Sequence, residues 1–132
     1  MEYKRDEHRV HLIVYHLIWC PRRRRKILTG EVALECENFI RSKALEKGWE
    51  ILELAMQPDH IHLFIRVFPS VAASQVVKEL KGGSSRAICE KFPELRYKVP
   101  SIWTRSYFAC TAGNVSAEAI EKYIKDQSNV SR

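Results

Sequence analysis

Apolar runs and their spacing divide the chain into alternating strands and helices. Val10 to Cys20 (VHLIVYHLIWC) is rich in β-branched and aromatic residues, which suits a strand, and it stops at Pro21. From Glu31 to Lys47 apolar residues fall at Val32, Cys36, Phe39, Ile40 and Ala44, a helical spacing closed by Gly48. Trp49 to Met56 predicts a second strand and His60 to Phe68 a third. Only the Pro58-Asp59 turn separates them, so the two must form an antiparallel hairpin. Ser70 to Lys91 is again helical in pattern, with Val76, Val77 and Leu80 inward, and Gly82-Gly83 predicts a kink or break. A fourth strand is expected within Trp103 to Cys110, then a turn at Gly113-Asn114. Ser116 is placed to cap a last helix from Ala117 to about Ser128. The order β-α-β-β-α-β plus a final helix predicts a ferredoxin-like α+β fold, with helices on one face of an antiparallel sheet. The other sheet face is left for solvent, a ligand or another chain.

At 132 residues, 45% hydrophobic and 29% charged, the chain suits one domain over residues 1–132 with a real core. It contains no apolar run of the ~18 residues that a membrane span requires, and its start lacks a signal peptide's apolar stretch, so a cytoplasmic protein is expected. Cys20, Cys36, Cys89 and Cys110 are widely scattered with no C-x-x-C pair. That spacing argues against a zinc cluster or disulfide framework and for free thiols in a reducing compartment. A net charge of +6 and pI near 9.3 point only weakly toward a polyanionic partner.

The third strand carries the first chemical signal. Its residues alternate: Ile61, Leu63, Ile65 and Val67 suit the helical layer, while His60, His62, Phe64 and Arg66 take the other face. Two imidazoles two residues apart lie about 6.6 Å apart at the backbone, from a rise of roughly 3.3 Å per residue, and can converge on one ion. Two ordinary half-exposed histidines would give the same pattern. Asp59 is a further candidate ligand, although a turn residue is the simpler reading.

The last helix carries the second signal. Ala117, Ile120 and Ile124 form its apolar stripe, and Tyr123 and Gln127, at i and i+4, project together from one flank. Packing at a helix edge would explain them equally well. As chemistry, a phenol of free pKa about 10 needs help to attack phosphorus. A divalent ion on His60 and His62, with the Gln127 amide oxygen as third ligand, would supply it. An N,N,O set without thiolate suits magnesium or manganese better than structural zinc.

Five ordered motifs make the chain similar to the single-catalytic-tyrosine HUH transposases of the smallest bacterial and archaeal insertion sequences. They are Tyr15-His16-Leu17-Ile18-Trp19 before a basic stretch, Gln57-Pro58-Asp59-His60-Ile61-His62-Leu63-Phe64, Leu80-Lys81-Gly82 with Ser84-Ser85-Arg86, Trp103-Thr104-Arg105-Ser106-Tyr107-Phe108, and Tyr123-Ile124-Lys125-Asp126-Gln127. The resemblance covers nearly the whole length. It implies a ferredoxin-like fold, His60 and His62 as metal ligands, Tyr123 as nucleophile and Gln127 completing the metal site. It also implies cleavage and rejoining of single-stranded DNA at hairpin-bearing element ends, through a covalent 5′-phosphotyrosine and without a nucleotide cofactor. A domesticated relative that processes chromosomal palindromes would look similar. Cys20-Pro21 departs from a segment where relatives often carry valine or threonine and a lysine, which puts a local basic contact in doubt.

One nucleophile per chain cannot hold both ends of an element, so a homodimer is expected. The resemblance implies that the tyrosine helix reaches the partner's histidines. Arg22, Arg23, Arg24, Arg25 and Lys26 are candidate phosphate contacts, as are Lys78, Lys81 and Arg86. A solvated loop of like charges is the alternative for the first run. Gly82-Gly83 would allow close approach to DNA or merely a kink. Trp103, Tyr107 and Phe108 offer base stacking, with packing the safer reading. His16 shares a strand face with Leu12, Val14 and Ile18 and reads as packed, not as a ligand. Two rivals differ in kind. A non-catalytic ferredoxin-like nucleic-acid module should carry a Lys/Arg-Gly-Phe strand motif, which is missing here, and a metal-dependent phosphoesterase would leave no protein–DNA adduct.

Overall fold

The computed structural model describes residues 12–95, 101–111 and 117–127. Its strands are β1 (Ile13–Trp19), β2 (Glu50–Gln57), β3 (His60–Val67) and β4 (Phe108–Thr111), and its helices α1 (Gly30–Lys47), α2 (Ala73–Val77), α3 (Gly83–Lys91) and α4 (Ala117–Gln127). The sheet order is β2-β3-β1-β4 and every neighbouring pair is antiparallel. This is the ferredoxin-like α+β arrangement expected from the element order. The Val10 end of β1, the Gly113-Asn114 turn and the Ser116 cap lie outside the described residues.

The alternation on β3 decides which face is core. Ile61, Leu63, Ile65 and Val67 are fully buried and join Leu17 and Trp19 of β1 in one cluster. Cys36, Ile40 and Ala44 of α1, Val76 and Val77 of α2, and Ile88 of α3 close that cluster from the helical layer. Truncating one such Leu or Ile to Ala costs about 2–5 kcal/mol, since a rigid, dense core refills poorly. Ile18 is also fully buried but stands outside the cluster, on the opposite sheet face with His16.

The expectation at Gly82-Gly83 needs refining. Gly82-Gly83 does not break the second helical region: one π turn, Lys78–Gly82, joins α2 to α3, and both glycines keep right-handed helical angles. A Cβ on Gly83 would fall 2.3 Å from Phe39 Cζ, so the close approach that glycine allows at position 83 is by α1, while Gly82 has nothing within 4 Å. The fourth strand, Phe108–Thr111, lies within the expected span except for its last residue. Trp103 makes an isolated bridge to Pro21 and sits fully buried, edge-on to Trp19. Its indole N–H donates to Lys81 O at 2.9 Å, a bond that a strand position would not provide. The second helical region starts at Ala73, three residues after the expected Ser70, and the ends of α1, β2 and β3 agree to within one residue; Gly48, at φ 77°, closes α1 with its N–H on Ala44 O and Leu45 O.

Candidate active site

β3 holds His60 and His62 half-buried on the face opposite the core, with ring centroids 5.2 Å apart. Each ring has its Nδ1 engaged. His60 Nδ1 donates to Asp59 Oδ1 at 2.8 Å, and His62 Nδ1 lies 3.2 Å from His16 Nε2. Neither Nε2 has a partner among the described residues. Asp59 is therefore a turn residue, as read from the sequence, but one that orients a histidine. Burial works against its charge, yet the bonds from His60 and Arg24 outweigh that and hold its carboxyl below the ordinary value. Burial, with the His60 and His16 rings adding to it, lowers His62 to about 4. At neutral pH it is an uncharged imidazole, the form that binds metals.

This donor pair fits a divalent ion: two imidazoles in register, both Nδ1 atoms occupied, both Nε2 atoms open. No group of three His, Cys, Asp or Glu side chains among the described residues could hold a metal. The remaining coordination positions would fall to amide, water or phosphate oxygen.

The tyrosine helix packs on the same side of the sheet. Ile18 lies opposite His62 on one neighbouring strand and opposite Phe108 on the other, so the three share a face. The Phe108 ring is 5.9 Å from the Tyr123 ring. Tyr123 and Gln127 do project together, and one residue links them. Ser106 Oγ donates to Gln127 Oε1 at 3.1 Å and lies 3.1 Å from Tyr123 Oη. A serine has one hydroxyl hydrogen, so with it committed to Gln127 the phenol is the donor to Ser106. Burial pushes the Tyr123 hydroxyl above its ordinary pKa, while bonds with Ser106 and Thr104 pull it back. The phenol therefore rests protonated. Lys81 steadies the loop that carries Ser106, its Nζ donating to Arg105 O at 3.0 Å and Ser106 O at 3.2 Å.

The histidine pair and the tyrosine cluster are not in hydrogen-bond contact among the described residues. Two strand spacings of about 4.8 Å separate β3 from β4. Arg24 spans part of that gap: its Nε donates to Asp59 Oδ2 at 2.7 Å and its Nη1 to Ile124 O of α4 at 3.4 Å. Arg24 and Arg23 both adopt φ 54°, a left-handed conformation that L residues seldom take. Arg22 is buried, with Nε on Ser101 O at 2.7 Å. Among the sequence candidates for phosphate contact, Arg22 and Arg24 thus direct their guanidiniums inward, and Lys81 is bonded to a loop. Arg23, Arg25, Lys26, Lys78 and Arg86 are exposed.

Three features of this site were not assigned from sequence: the His16–His62 bond, the Ser106 link and the Asp59–Arg24 pair. His16 was read as packed, and it is, at 2% exposed and stacked on Phe64 at 4.1 Å. Its bond depends on the β1–β3 register, which residue spacing within β1 does not reveal. Cys20, Cys36 and Cys89 are buried free thiols and Cys110 is half-buried; burial pushes Cys20 and Cys36 up to about 12, which makes them inert.

Comparison with known proteins agrees with this architecture. The family of IS200-like transposases matches residues 9–127. The ISDra2 transposase TnpA of Deinococcus radiodurans is 35% identical over 129 residues, covering 96% of this chain and 92% of that protein. The transposase for insertion sequence element IS200 of Salmonella typhimurium is 33% identical over 115 residues, covering 86% and 75%. A transposase crystal structure from Deinococcus radiodurans superposes with a TM-score of 0.85 at 32% identity, covering 94% of this chain and 97% of the other. A REP-associated tyrosine transposase shares the fold at a TM-score of 0.58 and 14% identity, covering 94% and 66%. No helix among the described residues is long and apolar enough to cross a membrane. By sequence and by fold, this chain belongs to the IS200-like transposase family.

Proposed function

We propose that the protein cleaves and rejoins single-stranded DNA at insertion-sequence ends through a covalent 5′-phosphotyrosine on Tyr123. The observation that carries this is the presence on one sheet face of a half-buried, hydrogen-bonded phenol and two imidazoles whose Nε2 atoms are open. The Tyr123 oxygen attacks the scissile phosphorus, the P–O3′ bond breaks, and the departing 3′ oxygen takes a proton. That proton balances the one the phenol gives up, with solvent carrying it across; Ser106 Oγ, the phenol's acceptor at rest, orients the O–H and does not keep the proton. One phosphodiester replaces another, so no water and no nucleotide cofactor is consumed, and the released 3′-hydroxyl can reverse the step on another phosphotyrosine. A divalent ion, Mg2+ or Mn2+, held by His60 and His62 with Gln127 as a third donor, would polarise the phosphate. Gln127 must leave Ser106 to serve in that way.

The proposed substrate is DNA carrying a hairpin. The REP-associated transposase of the same fold was solved bound to a REP hairpin. Exposed Arg23, Arg25, Lys26, Lys78 and Arg86 are the side chains suited to its phosphates. The test is a labelled hairpin oligonucleotide with Mn2+ on a denaturing gel. A protein–DNA adduct should form, and should vanish with EDTA or in Tyr123→Phe. An adduct surviving Tyr123→Phe would reassign the nucleophile, and free cut ends without adduct would make the enzyme a hydrolase.

Two cut ends require two nucleophiles, so the working unit is proposed to be a homodimer. Here α4 packs on its own chain through Arg24 and Ser106. Reaching a partner's histidines would require it to release both contacts. Mixing Tyr123→Phe with His62→Ala chains tests this: restored cleavage shows sites shared between chains, and none confines each site to one chain.

A further inference from the structure

We propose that His16 is a positioning residue for His62, accepting its Nδ1–H and so leaving His62 Nε2 as the metal-binding nitrogen; this rests on the reading of His62 as a ligand. A neutral imidazole carries one N–H, so the 3.2 Å contact between His16 Nε2 and His62 Nδ1 has two hydrogen arrangements. If His16 donates, His62 must carry its hydrogen on Nε2, which then has no lone pair for an ion. If His62 donates, Nε2 is open, and His16 Nε2 is the acceptor that makes this possible. No other group among the described residues bonds to His62 Nδ1.

Packing alone does not account for a histidine at position 16. The ring is 2% exposed in the middle of β1, and its Nδ1 is buried with no hydrogen-bond partner. An apolar side chain of similar size would stack on Phe64 without that loss. The other ligand follows the same design with a different acceptor: His60 Nδ1 is backed by the Asp59 carboxylate. The pair is thus asymmetric, one imidazole backed by an anion and the other by a neutral ring. Outer partners of this kind fix ring orientation and tautomer, and their loss typically weakens metal binding about 10- to 100-fold.

The decisive variants are His16→Phe, which keeps the stack on Phe64 and loses the acceptor, and His16→Gln, which restores an acceptor oxygen. Binding of Mn2+ is measured calorimetrically on each folded protein without DNA, alongside thermal melts in EDTA. The dissociation constant should rise about 10- to 100-fold in His16→Phe and recover in His16→Gln, whatever their relative melting temperatures. On 15N-histidine-labelled wild type loaded with Zn2+, the His62 ring should show a protonated, slowly exchanging Nδ1. Affinities of His16→Phe and wild type within twofold, or a His62 Nδ1 without a proton, would overturn the proposal. His62→Ala separates the two levels: unchanged Mn2+ affinity there would remove His62 as a ligand altogether. A large loss in His62→Ala with none in His16→Phe would overturn the role of His16 alone.

Discussion

Substituting Arg24 by alanine and by glycine separates what its side chain contributes from what its backbone costs. The guanidinium donates to Asp59 at 2.7 Å, with the two side chains 31% and 13% exposed, so solvent screens the pair only in part. Hydrogen bonds to charged groups contribute about 1.5–3 kcal/mol net, and either variant loses that much. The backbone at φ 54° treats them differently. An L residue there costs roughly 1–2 kcal/mol and glycine none, while glycine's freer unfolded chain returns about 0.4–1. Arg24→Gly should therefore be the more stable by about 0.5–1 kcal/mol. With an unfolding entropy of about 2.1 cal/mol/K per residue, near 0.28 kcal/mol/K for this chain, the melting temperature should fall by about 5–11 °C in Arg24→Ala. Arg24→Gly should melt about 2–4 °C above Arg24→Ala. Calorimetric melts in EDTA read both differences. An alanine variant as stable as the glycine variant would refute the backbone argument, and two variants within 1 °C of wild type would show that the ion pair contributes nothing.

Gly83→Ala should destabilise the wild type despite a helix-propensity gain of about 1 kcal/mol, because its Cβ meets the Phe39 ring at 2.3 Å. In a Phe39→Leu background the same change should become neutral or stabilising in urea melts, and a stabilised Gly83→Ala single variant would contradict the contact. Ser106→Ala removes the acceptor for the Tyr123 hydroxyl and should slow adduct formation about 2- to 10-fold, the worth of one hydrogen bond; an unchanged single-turnover rate would leave Ser106 out of the reaction. Because burial raises the Tyr123 pKa, the unfolded chain releases this proton from about pH 10 while the folded chain retains it. That stability is fully present below pH 10 and is lost as pH rises through the folded value. Wild type should therefore lose urea resistance faster than Tyr123→Phe above pH 10, and parallel losses would place the phenol in solvent.

The fold and the chemical groups were legible because they depend on periodicity. Alternation along His60 to Val67 places four residues in the core and both imidazoles on the open face, and all four apolar partners are fully buried. The i, i+4 spacing of Tyr123 and Gln127 puts them on one flank of α4, where both reach Ser106. Period-2 and period-3.6 patterns survive folding because burying the apolar set outweighs any local preference.

Registers, loops and the conformations of charged side chains leave no such imprint. His16 meets His62 only because antiparallel pairing sets Ile18, not His16, directly opposite His62 and leaves His16 on the diagonal, within reach of a long ring. A shift by one residue would turn His16 into the core and away from His62. The run Arg22 to Lys26 reads as uniform positive charge, yet two of its five members point inward. What distinguishes them is what their side chains meet: Asp59 in the case of Arg24, and Ser101, brought near by an Ile102–Arg22 backbone bond, in the case of Arg22. Composition assigns the same charge to every member of the run, whereas geometry divides them between the scaffold and the exposed surface. The same reasoning explains Arg24's place between the histidine pair and the tyrosine helix. A carboxylate that accepts from His60 through one oxygen has its other oxygen left for a second donor, and the turn after β1 presents one to Asp59 and to the Ile124 carbonyl at once.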